Sequence, residues 1–252
     1  LVKKAEIMFI KRKIAEETIL FFSISKWVLL STVIGAIVGT AAAVFLKILN
    51  WSISFRNQFD YYYYLLPLAF LISVLLVKYL APEAEGHGTE KVIEAIHKKD
   101  SNIDLMVVPV KLLATIVTIA CGGSAGKEGP CAQIGAGLAS YFANIFKFDS
   151  HDRRKLVICG ISAGFASVFG TPLAGAIFGV EVLFVGTMLY DVLLPSFISG
   201  IMSYQVAETL GIEYSKHSAN FVPVFSEIFF LKVVLAGIFF GICSIIFIET
   251  MN

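Results

Sequence analysis

From Trp27 to Leu46 the chain carries no charged side chain. A helix advances about 1.5 Å per residue, so roughly 20 apolar residues are needed to cross the hydrocarbon core of a bilayer. This run has that length. In lipid every backbone N–H and C=O must find its partner inside the segment, which selects a helix. Gly35 and Gly39 give it a small-xxx-small face on which a second helix can pack closely. A second apolar run extends from about Tyr61 to Leu80, with Pro67 early enough for a bend to be tolerated. Trp51 and Tyr61–Tyr64 lie between the two runs, where amphipathic rings favour the lipid–water interface.

The composition agrees with a lipid setting. Hydrophobic residues make up 57% of the 252 residues and charged ones 15%, with a mean hydropathy of +0.81. Soluble domains carry about 25% charge. A net charge of +1 gives no support to a nucleic-acid partner. Cys121, Cys131, Cys159 and Cys243 form no CxxC pair and read as small buried apolar residues, without a disulfide framework or a metal site.

The amino end, LVKKAEIMFIKRKIAEE, reads as a basic juxtamembrane segment over residues 1–25, with residues 26–252 forming one transmembrane domain. The polar stretch Ala81–Glu90 leads into a short amphipathic helix through His97, and Lys98 and Lys99 follow. Two spans separate these lysines from the basic amino end, so both groups fall on one side, which the positive-inside rule makes cytoplasmic. Apolar segments at 105–121, 129–148, 156–169 and 172–190 are repeatedly cut by Gly and Pro, and segments at 192–210 and 228–248 complete the series. Several are too short to cross alone. Broken helices survive in a bilayer where their freed backbone faces protein or water, and they bring helix ends to ion sites near the midplane. The basic run His151–Lys155 is left without a side, because counting whole spans places it opposite the other basic groups.

Gly122-Gly-Ser-Ala-Gly-Lys-Glu-Gly-Pro130 is the stretch richest in chemistry. Glycines let backbone approach a ligand, and Pro130 suits the first turn of a helix. The start of that helix offers unpaired N–H groups and the positive end of a dipole, an anion site. Two readings of Glu128 stand here. It caps the helix, or it occupies the anion site as a tethered competitor that protonation would release. A nucleotide loop is excluded: the pattern G-x-x-x-x-G-K-[ST] would need Gly at Cys121 and Ser or Thr at Glu128. No catalytic triad, metal-ligand spacing or cofactor loop stands out, so neither an enzyme nor a cofactor is expected.

Gly126-Lys-Glu-Gly-Pro130 resembles the G-[KR]-E-G-P motif of the CLC chloride channels and transporters, and the flanks Gly122-Gly-Ser and Gln133-Ile-Gly-Ala136 match as well. Ala163–Glu181 resembles that family's stretch ending in a buried glutamate, and Gly86–Ala95 resembles its G-x-G-x-P stretch with the short helix after it. The resemblance covers roughly residues 25–250. It implies an all-α polytopic fold of broken helices in two inverted halves, of which this chain holds the first and the start of the second. It implies a homodimer in a cell membrane, with one anion pathway per subunit and chloride as ligand. It makes Glu128 the gate, and Gly86, His87, Gly88, Thr89 and Glu90 with Gly126, Lys127, Glu128, Gly129 and Pro130 two of three filter stretches.

This sequence departs from the family pattern in several places. His87 stands where the family often has Ser, and either donates an N–H or points away; Glu90 stands where Pro is usual and reads equally as a first-turn carboxylate. Lys127 either adds positive potential to the path or is a solvated side chain. Family members that exchange chloride for protons commonly carry a second glutamate at the position of Val182, and valine carries no proton. The third filter stretch, G-x-F-x-P, and a pore tyrosine are missing, so a truncated chain is expected. The reading is passive, Glu128-gated chloride transport. Its alternatives are a proton-coupled chloride antiporter of the same fold and a non-conducting membrane assembly or sensor protein.

Overall fold

The computed structural model describes residues 2–182, 189–214 and 225–251, with side chains from Glu17 onward, Ile19 and Met251 apart. The described residues divide into two compact units, meeting in sequence between Tyr214 and Ser215. Helix α1 spans Val2–Arg56 and runs unbroken through the basic amino end into the first apolar stretch. A 3-10 turn at Tyr62–Leu65 leads into α2, Leu66–Leu80, which starts with Pro67 in its first turn, where the missing N–H costs nothing. There follow α3 (Thr89–Lys98), α4 (Val107–Ala120), α5 (Glu128–Ile145), α6 (Ser150–Phe169), α7 (Pro172–Glu181) and α8 (Tyr190–Thr209). The second unit contains α9, Glu227–Met251. Among the described residues three stretches are long and apolar enough to cross a membrane, Leu20–Arg56, Tyr62–Leu80 and Glu227–Thr250; α4 and α7 are apolar but short. The 172–190 segment is helical only to Glu181, and residues 183–188 within it lie outside the described residues, as do the amino-terminal lysine side chains.

The first unit is built around α6. Its residues Leu156–Gly164 are all buried, and small residues at Gly160, Ser162, Ala163 and Gly164 let neighbours approach on every side. A Cβ on Gly160 would lie 2.8 Å from the Gly135 carbonyl carbon and from Ala139 Cβ, so α5 and α6 touch backbone to backbone. Ser199 and Ser203 of α8 donate to the Cys159 and Ala163 carbonyls of α6 at 2.5 and 2.8 Å. The Gly35 and Gly39 face of α1 meets Ser199 and Ser203, where added Cβ atoms would stand 2.5 and 2.6 Å from their carbonyl oxygens. The predicted small-residue face is therefore a helix contact. Cys131 and Cys159 are buried as expected, whereas Cys121 is half-buried and Cys243 exposed.

Ion pairs gather the basic groups of this unit at one end. Lys26, where α1 enters its apolar stretch, pairs with Asp152 at 2.6 Å, and Arg153 donates to the Asp100 carbonyl at 3.4 Å, next to Lys99. Lys155 pairs with Asp191 at 2.8 Å. Burial pushes the Asp191 carboxyl up, but the hydrogen bond and charge of Lys155 outweigh it and hold the group below its usual range. The run His151–Lys155 thus joins the end that carries Lys26 and Lys99. It is also the first turn of α6, started by Asp149, whose carboxylate accepts from the Asp152 N–H at 3.2 Å. α4 and α5 together make a return trip, since Asn144, near the end of α5, is bonded to Asn102, ahead of α4, at 2.9 Å, so the basic run stands on the side of Lys99 and not opposite it.

Candidate functional site

Two helices begin at one point inside this unit. Gly88 precedes α3 with φ +86°, a left-handed conformation open to glycine, and Gly86 two residues earlier has φ +79°. A Cβ on Gly88 would stand 2.8 Å from the Gly129 carbonyl oxygen and 3.1 Å from Gln133 Oε1, while one on Gly129 would collide with the His87 carbonyl. The stretches 86–90 and 126–130 therefore cross in direct backbone contact. From this crossing α3 and α5 both run toward the basic end, so their amino ends, each with unpaired N–H groups and a positive dipole end, face the same region.

That region is a cavity of about 1110 Å³. Gly86, His87, Thr89, Gly126, Glu128, Gly129 and Pro130 form part of its wall; Gly88, Glu90 and Lys127 do not. Glu90 is exposed in the first turn of α3, the placement of a carboxylate that favours the helix dipole. His87 lines the cavity, and its ring makes no hydrogen bond among the described residues. Glu128 is the first residue of α5, and its carboxylate folds back against Gly126, where a Cβ would strike it. It has no ion pair or hydrogen bond among the described residues. Val182 closes the end of α7 through its N–H to the Phe178 carbonyl at 2.9 Å and packs against the core, away from the cavity.

The sequence reading missed Lys111. It lies in α4, is 7% exposed, and lines the cavity. Its Nζ donates to the Ala84 carbonyl at 2.9 Å and the Gly86 carbonyl at 2.7 Å, tying down the loop that leads into α3. The signal was present: an ionisable residue alone in an apolar segment marks a functional position by default. Ser73 and Thr118, on α2 and α4, bring hydroxyls to the same wall, 2.9 Å apart, and both are bonded to the Ala114 carbonyl. The other side of the crossing is closed by Gln133, which is buried and donates from Nε2 to the Glu83 carbonyl at 2.8 Å. Among the described residues no group of three or more His, Cys, Asp or Glu side chains comes together as a metal site. The arrangement presents helix amino ends and a buried lysine to a space with one unpaired carboxylate among the described residues, a chemistry suited to a small anion.

A family model described as "Voltage gated chloride channel" matches residues 68–252. A chloride/fluoride channel protein of Pseudomonas syringae pv. tomato is 37% identical over 224 residues, which are 89% of this chain and 49% of that protein. The H(+)/Cl(-) exchange transporter ClcA of Klebsiella pneumoniae is 31% identical over 166 residues, 61% of this chain and 35% of that one. The chain thus spans about half the length of the first of these relatives and a smaller share of the second. Among solved structures, a CLC-type fluoride/proton antiporter aligns with a TM-score of 0.80 at 29% identity, covering 88% of this chain and 56% of that one. A slow cyanobacterial Cl-/H+ antiporter aligns with a TM-score of 0.59 at 25% identity, covering 74% and 47%.

Proposed function

The chain belongs to the voltage gated chloride channel (CLC) family, and from that membership we propose that it carries a small halide across a membrane past Glu128. The observation that supports this most is the unpartnered Glu128 carboxylate on the wall where two helix starts meet. Ionised, it lies at the amino end of α5 and takes the place of the anion. Protonated, it loses its charge and its hold on the amides, and the halide enters. Lys111 adds positive potential and keeps the Gly86 loop in position. Chloride is the expected ion, and fluoride joins it because the names of two similar proteins include it. Passive movement is the primary reading, since Val182 carries no proton; the electrical driving force is then about 2.3 kcal/mol per charge per 100 mV. The basic end faces the cytoplasm by the positive-inside rule, and two copies of the intact protein form the assembly, each with its own pathway.

The experiment is halide efflux from vesicles containing the intact protein. Glu128→Gln should raise chloride or fluoride efflux at neutral pH by about tenfold, equivalent to roughly 1.4 kcal/mol, and flatten its pH dependence. An unchanged flux and pH profile would remove Glu128 from the gate. A second reading, exchange of the halide for protons, draws support from the likeness to a fluoride/proton antiporter. Reversal potentials separate the two: a value that tracks an imposed proton gradient indicates exchange, and one set by the halide gradient alone indicates a channel.

A further inference from the structure

A second cavity, lined by none of the filter residues, lies at the carboxyl end of α1. It measures about 710 Å³, and its wall includes Trp51, Phe55, Phe59, Arg56, Asp60 and Tyr62. Its level in a bilayer follows from α1 itself. Lys26 marks the basic end, and the helix continues to Arg56, about 45 Å further at 1.5 Å per residue. That matches a bilayer measured across both headgroup layers, about 40–45 Å. The groove therefore sits at the headgroup level of the opposite face.

Its chemistry is divided. Trp51 stacks on Phe55 at 5.8 Å and Phe55 meets Phe59 at 5.3 Å, which makes a continuous ladder of rings. All three are at least half exposed, at 66%, 50% and 54%. The Arg56 guanidinium is fixed by the Ile119 carbonyl at 3.2 Å and by the Tyr62 ring, 4.7 Å from its centroid. Asp60 lines the same groove four residues on. The two do not pair with each other, and neither pairs with any other ionised side chain among the described residues. A cation and an anion held apart on one wall, beside rings that suit acyl chains, match a ligand that is itself a split charge pair with an apolar tail.

We propose that this groove binds one zwitterionic phospholipid, with its phosphate on Arg56, its ammonium on Asp60 and its upper acyl chains along Trp51, Phe55 and Phe59. A primary ammonium donates hydrogen bonds to a carboxylate and a trimethylated one does not, so the selected headgroup is phosphoethanolamine. An acidic lipid without an ammonium would leave Asp60 facing phosphate.

The test is native mass spectrometry of the intact protein in detergent, offered phosphatidylethanolamine, phosphatidylcholine or phosphatidylglycerol. One phosphatidylethanolamine per chain should be retained, at least tenfold over the other two. Asp60→Asn should reduce it to the level of phosphatidylcholine, and Arg56→Gln should lower retention of both. Asp60 is exposed, so Asp60→Asn decides the matter even if Arg56→Gln fails to elute as a folded species. Equal retention of the three lipids, or a preference unmoved by Asp60→Asn, overturns the proposal. Full displacement of the lipid by millimolar glycerophosphoethanolamine also overturns it, because the tail would then contribute nothing.

Discussion

Two of the places where glycine lets helices approach closely differ in their surroundings. Between α5 and α6, Gly135, Gly160 and Gly164 bring backbones together with packed atoms on all sides. Between α3 and α5, Gly88 and Gly129 do the same, but one side opens on a cavity lined by the Glu128 carboxylate. In the first seam close approach yields packing and nothing else. At the second it leaves two helix ends facing space that an ion can fill. Glycine content alone therefore does not mark an ion site; glycine at a helix start beside an open wall does.

The largest effect should come from breaking the dry seam. Gly160→Val places branched carbon where one Cβ already meets Gly135 and Ala139 at 2.8 Å, and backbone on α5 cannot rotate away. It should cost about 4 kcal/mol or more, in the range of severe overpacking and backbone collisions. The intact protein should lose its monodisperse peak in detergent. A Gly160→Val protein that melts like the parent would mean the seam is slack, and the contrast with the crossing would vanish.

Next is Lys111→Met, which tests what holds the open side. The variant removes a buried cation and leaves the Ala84 and Gly86 carbonyls without their donor. Losing bonds to a charged group costs about 1.5–3 kcal/mol, partly offset because no charge is buried any longer. A loss of about 2 kcal/mol in a thermal or denaturant melt is expected, together with weaker halide binding by isothermal titration. Unchanged binding would reduce Lys111 to a structural tie. Glu128→Gln sharpens the same contrast from the other side. Its carboxylate contacts no partner, so stability should stay within about 0.5 kcal/mol of the parent while efflux changes. A large loss of stability would make Glu128 a helix cap instead.

What the sequence made legible divides along the same line. The long apolar runs and a helix start near Pro130, which the structure puts at Glu128, were readable from local chemistry, namely apolar run length and a Pro in a first turn; that the two glycine stretches share one site came only from the family resemblance. The place of Lys111 as a lone cation in an apolar segment was a readable signal, but its partners were not readable, because they are two backbone carbonyls more than 20 residues earlier in the chain and carbonyls have no sequence signature. The side of His151–Lys155 was not readable either, because segments cut by Gly and Pro do not show in sequence which of them cross and which turn back. The start of α6 at Ser150 was not read, because the expected apolar segment began only at residue 156, after the basic run. Glu90 and Lys127 sit in motif positions off the cavity wall, which shows that a motif locates a loop better than it locates each side chain on it.

The smallest effect should come from the rim of the crossing. Lys99, just after α3, pairs with Glu83, just before it, and the pair clips the two ends of that short helix. The hydrogen bond and charge of Glu83 raise the Lys99 pKa above its ordinary 10.5. A raised folded-state pKa means the stabilisation is complete below the unfolded value and fades as pH rises through the folded one. Both partners are well exposed, so the pair is worth less than about 1 kcal/mol and is weakened by salt. Lys99→Met should therefore melt slightly below the parent from pH 7 to 9, and the two curves should converge above the ordinary lysine range or in high salt. If the difference instead exceeded that of Lys111→Met and ignored salt, the rim charges would be holding the crossing. The glycine contacts at Gly88 and Gly129 would then be a consequence of the fold in this region and not its cause.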